Sequence, residues 1–265
     1  MVKEELVTLS LPYRNGEKTV RVFVPEHEQD ETLPVIYFAD GQNLFEDDNV
    51  RFGCWYTREA VRAEYEKSGK AAVIVGIFSE QTELGRACEL TPASIGRLTP
   101  PPGMPKEMMI TPDGEAYDDF IIKTLMPVIE ERFPVKKGAE NTAFCGSSCG
   151  GLMSFYTALS HPDKYCCAGV FSPVPLYLVY APEDVNNWIC AYIKNEMPYL
   201  YMMSGSAEGM EKEICTGMKA LYAFMKDKYP AGKISMEIKE GAPHHETTWS
   251  ESFKDLLHLF LTMTD

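Results

Sequence analysis

Two kinds of hydrophobic pattern divide the chain. In LVTLSLPYRNGEKTVRVFVP (6–25) apolar and polar residues alternate on both sides of Asn15-Gly16, a dipeptide whose positions tolerate positive φ and favour a tight hairpin turn. An antiparallel hairpin at a sheet edge is predicted. Beyond it come short continuous apolar runs: LPVIYFAD (33–40), AAVIVGIF (71–78), NTAFCG (141–146), CAGVFS (167–172) and PYLYMMSG (198–205), closed by the alternating KISMEIKE (233–240). Between them, helical spacing of apolar residues appears near 57–67, 115–132, 149–160, 211–228 and 250–263. Strands covered on both faces and interleaved with helices predict an α/β fold whose sheet is mostly parallel, with about eight strands.

Two stretches interrupt this rhythm. Residues 80–114 carry Pro92, Pro100, Pro101, Pro102, Pro105 and Pro112 and few helical signals, which predicts either a flap over a site or a surface excursion packed on the sheet. Residues 173–197, with Tyr177 and Trp188, read as a second irregular wall. Neither has the composition of a linker, so residues 1–265 are read as one domain with these two stretches as cap or flap insertions.

Composition narrows the function. The 265 residues are 45% hydrophobic and 24% charged, the profile of an independently folding globular chain. Twenty-five basic against 39 acidic residues give a net charge of −14, which repels nucleic acid and anionic membranes. The N-terminus MVKEELVTLS lacks the apolar stretch of a signal peptide, and no apolar run approaches the roughly 18 residues of a membrane span. A cytoplasmic protein is expected. The eight cysteines then read as reduced, mostly buried thiols, and without a CxxC pair they offer no zinc ribbon.

Candidate chemistry gathers at FCGSSCGG (144–151), which offers Ser147, Ser148 and Cys149 as nucleophiles. Gly146, Ser148 and Gly150 fit G-x-S-x-G between a predicted strand and a predicted helix, the context of a nucleophile elbow. A serine forced out over the sheet takes a strained backbone, and its neighbours two residues away approach so closely that only glycine fits. That spacing selects Ser148. Its hydroxyl needs a base, and of five histidines only His244 and His245, in GAPHHETTW, follow the last strand in a loop that can present an imidazole to the strand ends. Glu208, past the strand ending at Gly205, is the expected carboxylate partner; Glu211 and Glu213 read as residues on the solvated face of the next helix. For an oxyanion, one donor is the Cys149 amide and the other comes from Gly41-Gln42 in ADGQNLF. Trp55, Arg86, Tyr177 and Trp188 are candidate substrate contacts, the arginine as a local positive spot.

Together DGQNLF, GSSCGG, a Gly-x-x-Glu after a strand and HHETTW resemble the esterase family of α/β hydrolases that groups esterase D-like enzymes, feruloyl esterases and bacterial siderophore esterases. The resemblance spans nearly the whole chain and implies an α/β-hydrolase fold. Its terminal signature is similar to H-x-E-x-x-W, which fits His244, Glu246 and Trp249 and selects His244 over His245. Members more often carry methionine where this chain has Cys149, and some siderophore esterases work without a well-placed acid. The expected activity is that of a serine carboxylesterase acting on small aryl, hydroxycinnamoyl or short acyl esters, some of them on sugars. It requires no cofactor and no metal. The alternatives are a siderophore esterase, an acyltransferase or thioesterase on the same residues, or a non-catalytic binding protein that kept the fold. The partner is a small-molecule ester rather than nucleic acid or membrane, and the oligomeric state is left open, a homodimer included.

Overall fold

In the computed structural model, which describes residues 1–46, 53–99 and 110–264, β1 (Glu5–Tyr13) pairs antiparallel with β2 (Gly16–Val24), Tyr13 facing Gly16. The hairpin loop is therefore Arg14–Asn15, one residue earlier than the Asn15-Gly16 turn expected, and Arg14 takes the positive φ of 51°. Register explains the shift. Leu9, Leu11 and Tyr13 face the core with Val20 and Val22, and a slip of one residue would turn that whole set outward.

β3 (Val35–Ala39), β4 (Val73–Ile77), β5 (Thr142–Ser147), β6 (Cys167–Phe171), β7 (Tyr199–Gly205) and β8 (Ile234–Lys239) complete one sheet in the order β1-β2-β4-β3-β5-β6-β7-β8. β2 meets β4 antiparallel, and every later pairing is parallel. From β3 to β6 the strands are buried throughout, because helices cover both faces. On one face α1 (Thr57–Ser68) and α9 (Glu246–Met263) pack against Ile36, Phe38, Ile74 and Phe171. The other face carries α3 (Gly114–Phe120), α4 (Met126–Arg132), α5 (Cys149–Ser160), α7 (Pro182–Tyr192) and α8 (Met210–Met225). α3 and α4 are one helical run joined by a π turn at Ile121–Leu125. Pro127, just inside α4, cannot donate a backbone hydrogen bond, and the wider turn before it absorbs the break.

The two insertions hold more structure than their prolines suggest. α2 (Glu83–Glu89) lies inside 80–114 and is capped by Thr82, whose hydroxyl accepts from the Gly85 amide at 3.0 Å. Within 173–197, α6 (Leu176–Val179) is followed by α7, whose first residue is proline, a position that needs no amide hydrogen. The two insertions are joined: the Thr99 amide donates to the Val179 carbonyl at 2.8 Å and the Ala181 amide to the Arg97 carbonyl at 3.0 Å. Residues 100–109, the centre of the expected flap, lie outside the described residues. Among the described residues no helix is long and apolar enough to cross a membrane.

The far end of α5 is closed by His161, whose Nε2 donates to Asp118 on α3 at 2.5 Å. The other oxygen of Asp118 accepts from Thr157 at 2.5 Å. The hydrogen bond to Asp118 raises the His161 pKa above its ordinary value despite burial, with Asp118 and Asp163 adding to the rise. A histidine whose folded pKa is raised stabilises the protein fully below its unfolded value of about 6.5, and that contribution is lost as pH rises through the folded value. His161→Gln should therefore lower stability by about 1 kcal/mol at pH 5.5, after allowance for partial solvent screening, and by much less at pH 8.5. Urea midpoints of the two proteins at both pH values check this.

Candidate active site

Between β5, which ends at Ser147, and α5, which begins at Cys149, Ser148 has φ 58° and ψ −122°. A side chain in this region costs about 1–3 kcal/mol. Three backbone bonds hold it there: the Ser148 amide donates to the Phe171 carbonyl at 3.0 Å, and its own carbonyl accepts from Leu152 at 3.0 Å and Val174 at 3.1 Å. The flanking glycines have the steric role their spacing suggests. A Cβ on Gly146 would stand 2.4 Å from the Gly150 carbonyl oxygen, and one on Gly150 would press on Ala39 at 3.0 Å and Asp40 at 3.1 Å. Ser147 is buried within β5, whereas Ser148 and Cys149 are half-buried.

The loop after β8 brings His244 against α8. Its Nδ1 lies 2.6 Å from Glu211 Oε2, and because an ionised carboxylate only accepts, Nδ1 carries the proton and Nε2 is left as the acceptor. Glu211 Oε1 accepts from Ser172 Oγ at 2.6 Å, Ser204 Oγ at 3.0 Å and the Gly205 amide at 2.6 Å. Burial pushes this carboxyl up, but the bonds from His244, Ser172 and Gly205 outweigh it and hold its pKa below the usual range. Trp249 braces the group twice: its Nε1 donates to Ser172 Oγ at 2.9 Å, and its ring meets the His244 ring edge-on at 4.8 Å. His245 is turned away and caps α9, its Nδ1 accepting from the Thr247 amide at 3.2 Å.

Glu208 does not meet the histidine. It is 85% exposed and pairs with Lys212 at 2.7 Å. Glu208 stands just before Gly209, which takes a φ of 90° at the start of α8, and faces solvent, whereas Glu211 in the first turn of the helix is buried beside His244. A sequence signal for Glu211 existed. It shares the stripe of Ile214, Cys215 and Met218, and a charge on a helix's apolar face needs a partner.

The turn after β3 is built as tightly. Asp40 adopts a left-handed conformation (φ 58°, ψ 46°) before a 3₁₀ turn at Gly41–Asn43, and a Cβ on Gly41 would fall 2.2 Å from the Gly76 carbonyl carbon. The Gln42 side chain is turned onto the loop after β4: it donates to Ser79 Oγ at 3.0 Å and accepts from the Ser79 amide at 3.2 Å. What it offers elsewhere is its backbone. The Cys149 amide belongs to the first turn of α5, where amides have no partner within the helix and the dipole is positive. Glu246 ties this turn to α9, accepting from Asn43 Nδ2 at 3.2 Å, and burial pushes its carboxyl up to about 7.

The expected substrate contacts fare differently. Trp55 is buried among Phe38, Phe171, Trp249 and Phe253, so it supports the core behind His244 and is no open wall. Trp188 is buried too, stacked between Tyr156 and Tyr192 with ring centroids at 5.6 and 4.7 Å. Tyr177 is half-buried, donates to Asn186 at 2.9 Å, and with Pro175, Leu178, Glu213 and Thr216 lines an open cleft of about 420 Å³. Arg86 is engaged by Asp40 through two bonds of 2.6 Å. Among the described residues no group of three or more His, Cys, Asp or Glu side chains is arranged to hold a metal ion.

Glu211→Ala strands the Ser172 hydroxyl, the Gly205 amide and the histidine in a buried site, while Ser204 keeps the Gly205 carbonyl at 2.9 Å, and should cost about 3 kcal/mol of stability. Glu208→Ala removes only an exposed pair and should leave the unfolding midpoint unchanged. Guanidinium titrations of both variants separate the two carboxylates.

Over residues 12–253 the sequence matches the model of a family described as "Putative esterase". A protein from Bacillus subtilis (strain 168), the uncharacterized protein YbbA, is 24% identical over 257 residues, covering 92% of this chain and 93% of that one. Solved structures share the fold at lower identity. The siderophore hydrolase EstA from Aspergillus nidulans superposes with a TM-score of 0.75 at 16% identity, over 98% of this chain and 95% of that one. A CE1 ferulic acid esterase from Anaeromyces mucronatus does so at 0.68 and 17%, over 100% and 93%. With the strand order, the strained serine and the family match in agreement, the chain belongs to the esterase family of α/β hydrolases, enzymes that hydrolyse ester bonds.

Proposed function

We propose that this esterase is a serine carboxylesterase with Ser148 as nucleophile, His244 as base and Glu211 as the carboxylate that orients it. The observation that carries the reading is the strained backbone of Ser148 at the carboxyl end of a central parallel strand, where α/β sheets place their sites. The neighbouring nucleophiles are less suited. Ser147 is buried in its strand, and burial raises the Cys149 thiol above its ordinary pKa even though Arg86 pulls the other way, so little thiolate exists at neutral pH.

In the first half-reaction Ser148 Oγ attacks the ester carbonyl while His244 Nε2 takes its proton. Glu211 holds the Nδ1 proton throughout and stabilises the imidazolium. The carbonyl oxygen, now an anion, is received by the amides of Cys149 and Gln42. Collapse expels the alcohol, which takes the proton back from Nε2 and leaves an acyl-serine. Water then repeats the sequence and releases the acid. No cofactor has a role in these steps.

The substrates proposed are small carboxylic esters with aryl or short acyl groups. The likeness to a ferulic acid esterase supports the aryl reading. Siderophore esters are the second reading, supported by the likeness to EstA, but a net charge of −14 disfavours long-range attraction of highly anionic ligands. A cytoplasmic setting suits the eight free cysteines.

Hydrolysis of p-nitrophenyl acetate tests the assignment. Ser148→Ala should lower kcat/KM by at least about 10³-fold and Glu211→Gln by about 10³-fold, while Glu208→Gln stays at the wild-type rate. Equal rates for wild type and Ser148→Ala would remove Ser148 from the mechanism.

A further inference from the structure

Arg86 does more than neutralise a buried aspartate. Its Nε donates to Asp40 Oδ1 and its Nη2 to Asp40 Oδ2, both at 2.6 Å, and Nη2 also reaches the Ser147 carbonyl at 3.4 Å. The same guanidinium lowers the pKa of the Cys149 thiol against the rise that burial causes. One planar group thus touches both segments assigned to the oxyanion: the turn after β3, through Asp40, and the elbow, through the Ser147 carbonyl. Asp40 carries the restraint onward, since Oδ1 also accepts from Ser79 Oγ at 2.6 Å and Gln42 Nε2 at 3.3 Å.

The arginine itself has a fixed base. α2 is held at its far end by Glu89, which accepts from Lys18 Nζ at 2.6 Å and from the Glu80 amide at 2.9 Å in a fully buried setting. The Lys18 ammonium also donates to the Phe78 carbonyl at 3.0 Å. Ordinary anchoring of α2 to the sheet is therefore supplied by Glu89, and the reach of Arg86 toward the elbow is not needed for it.

We propose that Arg86 is a positioning residue that clasps the two halves of the oxyanion hole, setting the distance between the Gln42 and Cys149 amides. This rests on the assignment of Ser148 and of those two amides. Two donors stabilise an oxyanion only when both lie about 3 Å from the place where the charge forms, and the turn and the elbow come from different crossovers, with 105 residues between Gln42 and Ser148. A bidentate fork that also reaches a third acceptor is a task for arginine and not for lysine, whose ammonium is a point charge.

The test uses three variants on p-nitrophenyl acetate, with stability followed by thermal denaturation. Arg86→Lys keeps the charge and should fold normally, but kcat should fall by about 10-fold or more with KM within about twofold of wild type. Arg86→Gln with Asp40→Asn removes the buried charge together with its partner, and kcat should fall by about 10²-fold, again with little change in KM, while the melting temperature stays near wild type. Affinity for a trifluoromethyl ketone, which adopts the tetrahedral state, should fall in parallel with kcat/KM. Ser148→Ala is run alongside. If it is inactive while the folded Arg86 variants keep wild-type kcat, Arg86 only balances Asp40 and the clasp is wrong. If Ser148→Ala keeps its activity, the assignment beneath the clasp fails, and the clasp with it.

Discussion

A carboxylate that is 2% exposed must be surrounded by donors, and Glu211 finds four of them on segments that lie far apart in the chain. Ser172 follows β6, Ser204 and Gly205 end β7, and His244 follows β8. Satisfying one buried charge therefore draws together the carboxyl ends of three adjacent strands. Each hydrogen bond to a buried charge is worth about 1.5–3 kcal/mol, so together the four make the constraint strong in the folded state. Its consequence for chemistry is orientation: with Nδ1 committed to Glu211 and Trp249 against the ring, His244 keeps one tautomer and one face.

The same device recurs on the other side of Ser148. There Asp40 is the buried charge, and Arg86, Ser79 and Gln42 satisfy it. The burial of Asp40 raises its pKa and the arginine more than reverses this, so the aspartate stays ionised. The elbow thus sits between two desolvated carboxylates, each tied to a different neighbouring loop. The strain at Ser148 is held from both flanks: its amide and carbonyl are bonded to Phe171 and Val174 beside the Glu211 network, and the carbonyl of Ser147 faces Arg86. Such over-determination is what allows a strained conformation to persist.

Much of this was legible in the residue pattern. Continuous apolar runs located the five strands from β3 to β7 within two residues at either end, because a strand covered on both faces has little freedom in composition, and alternation located the half-buried β8. G-x-S-x-G located the elbow because its sterics are local. The histidine loop was legible for a similar reason, with few histidines to choose from. Glu211 was missed because the choice between it and Glu208 depends on which side of the α8 start meets the His244 loop, and reading outward-facing acids from a helix start overlooked the apolar stripe that Glu211 shares. Trp55 and Trp188 were misjudged because a bulky aromatic in an irregular segment serves a core as readily as a substrate wall, and burial is decided by elements distant in sequence. The helix at 83–89 was hidden by the prolines after it, although Thr82 marked its start.

The central claim is that one hydroxyl among three adjacent nucleophiles reacts. Labelling with a fluorophosphonate, followed by digestion and tandem mass spectrometry of the peptide spanning the elbow, tests it most directly. The account predicts a single phosphonylated residue, Ser148, formed in the native protein and absent after denaturation. A label on Cys149 or Ser147, or native protein that takes up no more label than the unfolded chain, would contradict it.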